Sequence, residues 1–203
     1  RPAGEYYFEK KKLRARHYEL PGSPESPRVF ISELMLKEFS QELQDIIHRQ
    51  LDSVPEETLK SPDLIFRGRI FASISHAVYS KLREESEYAA WMYAFGYRAN
   101  HFTVSINYLK NFEGIEEVNS FLKRNGFQLN SSGGEIKGTA EQLLEQSSTL
   151  ADQVEVRFSD GSHTIPGCYY EFAKRYPAKD GELFSGFIAS SADKIFESTD
   201  YRS

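Results

Sequence analysis

Alternating apolar and polar residues recur in several short segments of the chain, a pattern typical of β-strands that bury one face. Within residues 1–18, Leu13, Ala15 and His17 share one face and alternate with Arg14 and Arg16. A short apolar stretch over residues 28–34 follows a proline-rich loop. The pattern therefore predicts that three strands open the chain.

Between residues 35 and 98, apolar residues recur every three or four positions, and this spacing predicts helices with one buried face. The first such face carries Leu36, Phe39, Leu43, Ile46 and Ile47. A second helical region runs from residue 68 to residue 95 and has a charged break at residues 83–85. Gly96 is a suitable stop at its C-terminal end. We expect these helices to pack against a sheet.

The clearest pattern begins at residue 99. In the first strand there, His101, Thr103 and Ser105 form a polar face, and Phe102 and Val104 lie on the opposite, apolar face. A polar strand face is costly to bury unless it lines a cavity or meets solvent. This strand is therefore a candidate for lining a site.

The elements that follow predict a βαβββ module up to residue 176. An amphipathic helix is expected over residues 115–126, and a short helix over residues 142–150. Two alternating stretches flank Asp160 and Gly161, a dipeptide that strongly favours a hairpin turn. The last strand, over residues 166–172, carries Glu171 on the same face as Tyr169.

His101 and Glu171 are the best metal ligands of this module. If the first and last strands pair, a neutral imidazole and a carboxylate come together, and this set suits Fe(II), Mn(II), Zn(II) or Ni(II). The residues alone leave two alternatives open. The histidine could satisfy only a local hydrogen bond, and the glutamate could lie in solvent.

Further polar residues share strand faces with these two. They are expected beside the ligands, where they would orient them: Thr103, Ser105 and Tyr169. Near the end of the chain, backbone and hydroxyl groups could hold a carboxylate with the help of a lysine, and the residues concerned are Ser190, Ser191 and Lys194. A serine-capped helix N-terminus explains the same two serines equally well.

The remaining candidates are weaker. His163 follows the Asp160–Gly161 turn, so we expect it to be exposed. Glu33 could be a fourth ligand, although a carboxylate that stabilises the entry to a helix is the preferred interpretation. Cys168 shows no neighbouring base that would activate its thiol.

Composition excludes several function classes. The net charge of −5 argues against a general nucleic-acid binder. A single cysteine cannot form an internal disulfide or a cysteine-cluster metal site, and it fits a reducing compartment. No apolar stretch approaches the roughly 18 residues of a membrane span. We therefore predict a cytoplasmic protein without nucleic-acid or membrane partners; the oligomeric state stays open.

The opening strands partly repeat the later module. The three strands that end at residue 34 resemble the three that end at residue 173. If the repeat is real, the first module is incomplete. Its leading strand and helix would precede Arg1.

Four segments also carry a family resemblance, in order along nearly the whole chain: residues 28–34, 100–104, 165–173 and 191–199. They resemble the family once called domain of unknown function 1338, whose members include 2-oxoadipate dioxygenase/decarboxylases. The last two segments are the most specific.

The resemblance implies an α+β fold of vicinal-oxygen-chelate-like βαβββ modules that form a curved sheet, with added helices. It implies a mononuclear Fe(II) held by two histidines and one glutamate, with His101 and Glu171 as two of the three; another divalent metal is an alternative. The third ligand, with an arginine that binds the substrate carboxylate, is expected on the strand before Arg1. The implied reaction converts a 2-oxo dicarboxylic acid, such as 2-oxoadipate, and O₂ into a 2-hydroxy acid and CO₂.

We expect one domain over residues 1–203. It divides into strands of the incomplete first module at 1–34, a helical insertion at 35–98, the second module at 99–176 and a closing segment at 177–203. Two other functions stay open. One is a glyoxalase-type metal-dependent isomerase or hydrolase, and the other is a non-catalytic binding module.

Overall fold

The computed structural model describes residues 1–23, 25–71 and 73–199 of the 203-residue chain. The chain forms two compact units. The first contains residues 1–98 and 156–163, and the second contains residues 99–155 and the chain from residue 164 onwards. The single domain and its segment boundaries stay predictions, because compactness alone does not show whether a unit folds independently.

Three antiparallel strands open the first unit, as the alternation predicts: β1 (Pro2–Phe8), β2 (Leu13–Tyr18) and β3 (Val29–Leu34). One face of this sheet buries Phe8, Leu13 and Ala15. The other face carries a row of alternating charges, in which Arg14 donates to Glu33 at 2.7 Å. The period-two pattern thus separates core from solvent across the sheet.

The described part of the first unit also contains four α-helices: α1 (Gln41–Asp52), α2 (Glu56–Leu59), α3 (His76–Glu85) and α4 (Glu87–Phe95). The charged break that the sequence predicts is the junction of α3 and α4. There the Ser86 hydroxyl accepts a hydrogen bond from the Ala89 N–H at 3.2 Å and caps α4. Gly96 ends α4 with a positive φ of 67°, a conformation that glycine adopts at little cost.

The βαβββ module lies in the second unit, except for residues 156–163 of its hairpin, which belong to the first unit. The elements of the module are β4 (His101–Ser105), α5 (Ile115–Arg124), β5 (Lys137–Thr139), β6 (Leu144–Ser148), the hairpin strands β7 (Gln153–Phe158) and β8 (Gly161–Pro166), and β9 (Tyr169–Arg175). The strand order is β4-β9-β6-β5, with β4 and β9 parallel and the other pairs antiparallel. The hairpin lies in sequence between β6 and β9 and forms a separate two-stranded sheet.

The helix expected over residues 142–150 is wrong, because β6 occupies that segment. Its backbone pairs on both sides, with β5 and with β9. Serine and threonine at residues 147–149 compete poorly for a helix interior. The two neighbouring strands offer the backbone of β6 hydrogen-bond partners that an isolated short helix would lack.

A different part of the chain packs on each face of the β4-β9-β6-β5 sheet. On one face, Phe172 packs against a cluster that includes Val118 and Leu122 of α5, and Ser147 donates to Asn119 at 2.7 Å. Glu171 and Ser148 immediately adjoin Phe172 and Ser147 in their strands, so they lie on the opposite face. The face that carries Glu171 is therefore the one that α5 does not cover.

The last helix, α6 (Ala189–Phe196), contacts the Glu171 face. Ile195 packs with Tyr169, and Ser198 in the following 3₁₀ turn lies 2.7 Å from Ser148, hydroxyl to hydroxyl. The side-chain amide of Asn130 donates to the Lys194 carbonyl at 2.8 Å. Hydrogen bonds thus fix the closing segment over buried polar side chains.

Among the described residues, no helix combines the length and apolar character that crossing a bilayer requires.

Lys137 is an unusual member of this face, since its side chain is buried at the start of β5. Its ammonium donates to the Asn130 carbonyl at 2.6 Å. Burial lowers the pKa of Lys137 to about 8, because a charged amine loses its hydration there. In the register, Lys137 lies opposite Gln146 on β6.

We expect Lys137→Met to change how stability depends on pH. Between about pH 8 and pH 10 the folded protein binds fewer protons at Lys137 than the unfolded chain does, so its contribution to stability rises with pH. The variant should lose this rise, which is at most about 1.4 kcal/mol per pH unit. Urea unfolding at several pH values measures it. The exposed Lys123→Met is the matched control, and parallel curves for wild type and Lys137→Met would contradict the prediction.

Candidate functional site

Pairing of β4 with β9 brings His101 and Glu171 together. In the register, His101 lies opposite Tyr169 and Thr103 lies opposite Glu171. The imidazole Nε2 of His101 is 3.4 Å from the Oε2 of Glu171. The predicted juxtaposition of these two side chains is therefore confirmed, whereas their role as metal ligands stays a prediction.

Glu171 is held from the neighbouring strand on its other side. The residue is 4% exposed, and its Oε1 accepts a hydrogen bond from the Gln146 side-chain amide at 2.5 Å. Gln146 is itself buried on β6. This bond fixes one carboxylate oxygen and leaves the other directed at His101.

The sequence pattern does not predict that Gln146 contacts Glu171. Its segment was expected to be helical, and a glutamine in a short helix gives no sign of facing a carboxylate. The run of serine and threonine after it is the signal that favours a strand. A strand at this place would have put Gln146 on the same face as Ser148.

His101 is oriented by two neighbours. The Tyr169 ring stacks on the imidazole with the centroids 4.7 Å apart and the planes inclined by 14°. Nδ1 lies 3.3 Å from the Asn100 side-chain oxygen, which can accept a hydrogen bond from an Nδ1–H. In that tautomer, the Nε2 lone pair faces Glu171.

The electrostatics favour a neutral imidazole. Burial lowers the pKa of His101, and the nearby Glu171 carboxylate opposes this shift. A neutral Nε2 and a carboxylate oxygen both direct lone pairs into one gap, and two acceptors repel each other unless a proton or cation lies between them. The pair is therefore suited to hold a cation.

Their separation fits two adjacent positions on one metal ion. With bonds of about 2.1 Å, neighbouring ligand atoms at right angles are about 3 Å apart. The observed 3.4 Å needs only a small adjustment. Within residues 1–23, 25–71 and 73–199, no group of three His, Cys, Asp or Glu side chains could bind a metal together. The metal-ligand role of His101 and Glu171 stays a prediction.

The other strand residues proposed for the site lie near it. Tyr169 is buried and stacks on His101. Thr103 lies opposite Glu171 but is exposed, and Ser105 is half-buried opposite Ala173. Their roles around a metal stay predictions.

The closing segment is only partly described. Ser190 belongs to α6, but its side chain lies outside the described part of the chain. Ser191 is buried, and its N–H donates to the Ile188 carbonyl at 3.1 Å. Lys194 is exposed and forms an ion pair with Glu197 at 3.1 Å. Carboxylate binding by these residues stays a prediction.

A role for Glu33 as a fourth ligand stays a prediction. Glu33 lies within β3 and pairs with Arg14 at the surface of the first unit. The interpretation as a helix-entry carboxylate is wrong, because the strand continues to Leu34. Cys168 is exposed, and its thiol donates to the Ala99 carbonyl at 3.3 Å.

Comparison with known proteins identifies relatives of this chain. The sequence profile of the 2-oxoadipate dioxygenase/decarboxylase family matches residues 56–184. The chloroplastic 2-oxoadipate dioxygenase/decarboxylase of Arabidopsis thaliana is 34% identical over 98% of this chain and 60% of its own length. The chain thus spans about three-fifths of the curated relatives that it matches.

Two solved structures are also similar to this chain. The hydroxyglutarate synthase of Oryza sativa in complex with 2-oxoadipate has a TM-score of 0.89 and 34% identity, covering 99% of this chain and 72% of that protein. A Shewanella frigidimarina protein named provisionally as a hydrolase has a TM-score of 0.88 and 55% identity, covering 93% of this chain and 73% of that one.

The predicted fold class is confirmed. A glyoxalase-superfamily protein from Ralstonia eutropha, 19% identical, shares the fold alone with a TM-score of 0.75 over 92% of this chain and 64% of that one. The βαβββ strand order and the surface helices agree with this class. The profile match covers more than half of the sequence, and the chain belongs to the 2-oxoadipate dioxygenase/decarboxylase family.

Proposed function

We propose that this chain acts in an Fe(II)-dependent dioxygenase/decarboxylase that converts a 2-oxo dicarboxylic acid, such as 2-oxoadipate, to a 2-hydroxy acid with release of CO₂. The observation that supports it most is the His101–Glu171 pair, whose donor atoms face each other at 3.4 Å. The relative of known structure that was crystallised with 2-oxoadipate has the same fold.

His101 Nε2 and Glu171 Oε2 are the atoms that would hold the metal. The chemistry that Fe(II) would supply there is Lewis-acid binding of a 2-oxo acid and activation of O₂. Another divalent metal would fit the same two donors. The reaction balances as one O₂ consumed and one CO₂ released for each 2-oxo acid converted.

The protein groups around the pair have separable tasks. Gln146 holds one oxygen of Glu171, so the carboxylate cannot rotate away from His101. Tyr169 covers one face of the imidazole and limits its rotation. The burial of Glu171, Gln146 and Tyr169 excludes bulk water and strengthens the electrostatic interaction of these groups with a bound cation.

A metal-dependent hydrolase or isomerase of the glyoxalase type is the second candidate. It is favoured by the name of the Shewanella relative and by a donor pair that suits Zn(II) as well as Fe(II). In that reaction O₂ would not be consumed. We also propose a cytoplasmic location, for which the single cysteine is the support.

Oxygen consumption distinguishes the two candidates. With Fe(II) and 2-oxoadipate, we expect O₂ uptake in an oxygen electrode and an equal amount of CO₂ and of 2-hydroxyglutarate by mass spectrometry. His101→Ala should abolish all three signals, whereas His48→Ala, on the exposed side of α1, should not. Turnover of a hydrolase or glyoxalase substrate by the metal-loaded protein without O₂ uptake would support the second candidate instead.

Metal content tests the ligand pair independently of turnover. We expect His101→Ala and Glu171→Ala to retain roughly a tenth or less of the iron bound by the wild type, because each removes one of the two donors. Inductively coupled plasma mass spectrometry after dialysis measures it. His48→Ala and the surface variant Glu33→Ala are the matched controls. Equal iron in all four variants would rule out this site.

Gln146→Leu should weaken metal binding about 10- to 100-fold without unfolding the protein, because it removes the bond that orients Glu171. Titration calorimetry with Co(II), which needs no reductant, gives the affinity. Gln128→Leu changes an exposed glutamine of the same unit and should bind Co(II) like the wild type. An unchanged affinity in Gln146→Leu would show that Glu171 needs no support from β6.

A further inference from the structure

The tip of the β7–β8 hairpin docks onto the N-terminus of α3 within the first unit. The Ser159 N–H donates to the Ile74 carbonyl at 2.8 Å. The Asp160 carboxylate accepts from the N–H groups of His76 and Ala77 at 2.7 and 3.0 Å. Asp160 therefore caps α3 from a distant part of the sequence, and its charge favours the positive end of the helix dipole.

Two histidines meet at this docking point. The rings of His76 and His163 stack face to face with centroids 3.6 Å apart and planes inclined by 3°. Phe158 is buried beside them, and its ring is nearly perpendicular to both imidazoles. The expectation that His163 is exposed is wrong, because it is half-buried against His76.

A parallel stack of two imidazoles tolerates little positive charge. Two protonated rings at 3.6 Å would repel each other in a partly desolvated place. Burial lowers the pKa of His76, His163 lowers it further, and Asp160 opposes both effects. The aromatic neighbours Phe158 and Tyr79 carry no charge near neutral pH. The docked tip therefore favours neutral rings.

We propose that the His76–His163 stack is a pH-operated latch that holds the hairpin tip, residues 156–163, on α3 at neutral pH and releases it in acid. In the released state His76 regains an ordinary histidine environment and binds protons more readily than in the docked state. Docking is therefore complete above about pH 6.5 and weakens as the pH falls below that value.

The tip is close in sequence to the strand that carries Glu171. β8 ends at Pro166, and β9 begins at Tyr169.

Hydrogen-exchange mass spectrometry at pH 7.5 and pH 5.5, corrected for intrinsic exchange rates, tests the latch on the full chain. We expect protection in residues 156–163 and 74–78 to fall about tenfold or more at the lower pH. Protection in β2 and α5, which lie outside the docking point, should stay within about twofold. Uniform loss of protection along the chain would overturn the latch, because it would show global unfolding.

His76→Phe is the decisive variant. It keeps an aromatic ring to stack on His163 but removes the group whose protonation the docked state disfavours, so the tip should stay protected at pH 5.5. Acid-induced exchange as large as in the wild type would overturn the proposal. If circular dichroism shows that His76→Phe does not fold, His76→Tyr makes the same test with a second aromatic ring.

Asp160→Asn separates the cap from the stack. It should lower protection of the tip at both pH values, because the cap loses its charge, while the further loss of protection in acid persists, since Asp160 no longer opposes the lowered pKa of His76. If Asp160→Asn instead abolishes the pH dependence, titration of Asp160 rather than of His76 controls the docking of the tip, and the proposal is wrong.

Discussion

The parallel pairing of β4 with β9 is the constraint on which the candidate site depends. These strands are far apart in sequence, and a parallel pair needs a crossover connection, to which α5 contributes. The register places Thr103 opposite Glu171 and His101 opposite Tyr169. A shift by one residue would turn Glu171 to the face that α5 covers. The site therefore depends on a register rather than on a local motif.

The face that results is expensive to bury. Glu171, Gln146, Ser148 and Lys137 are all buried polar residues on one side of the sheet. Most of their polar groups find partners: Gln146 bonds Glu171, Ser148 bonds Ser198, and Lys137 bonds the Asn130 carbonyl. The closing segment with α6 supplies part of this network. A core of this kind gives up stability relative to an apolar one, and the retained polarity is what a metal centre requires.

Alternation predicts the strands well where one face meets the core. β2 and β9 follow it, as does the hairpin whose turn is marked by Asp160 and Gly161. It fails at β6, where both faces are covered and polar residues are buried beside apolar ones. The neighbouring strands determine the conformation of this segment, and the spacing of apolar and polar residues within it does not indicate that they are there. Gln146 is missed for the same reason.

The sequence by itself determined the strands that carry His101 and Glu171, the helices with one apolar face and the family to which the chain belongs, because periodicity and motif strings are local properties. Only the tertiary structure decided that Gln146 holds Glu171, that Tyr169 stacks on His101 and that His163 meets His76. Each of these contacts joins residues from different elements. Their distances follow from strand register and helix docking, which depend on the packing of the whole unit.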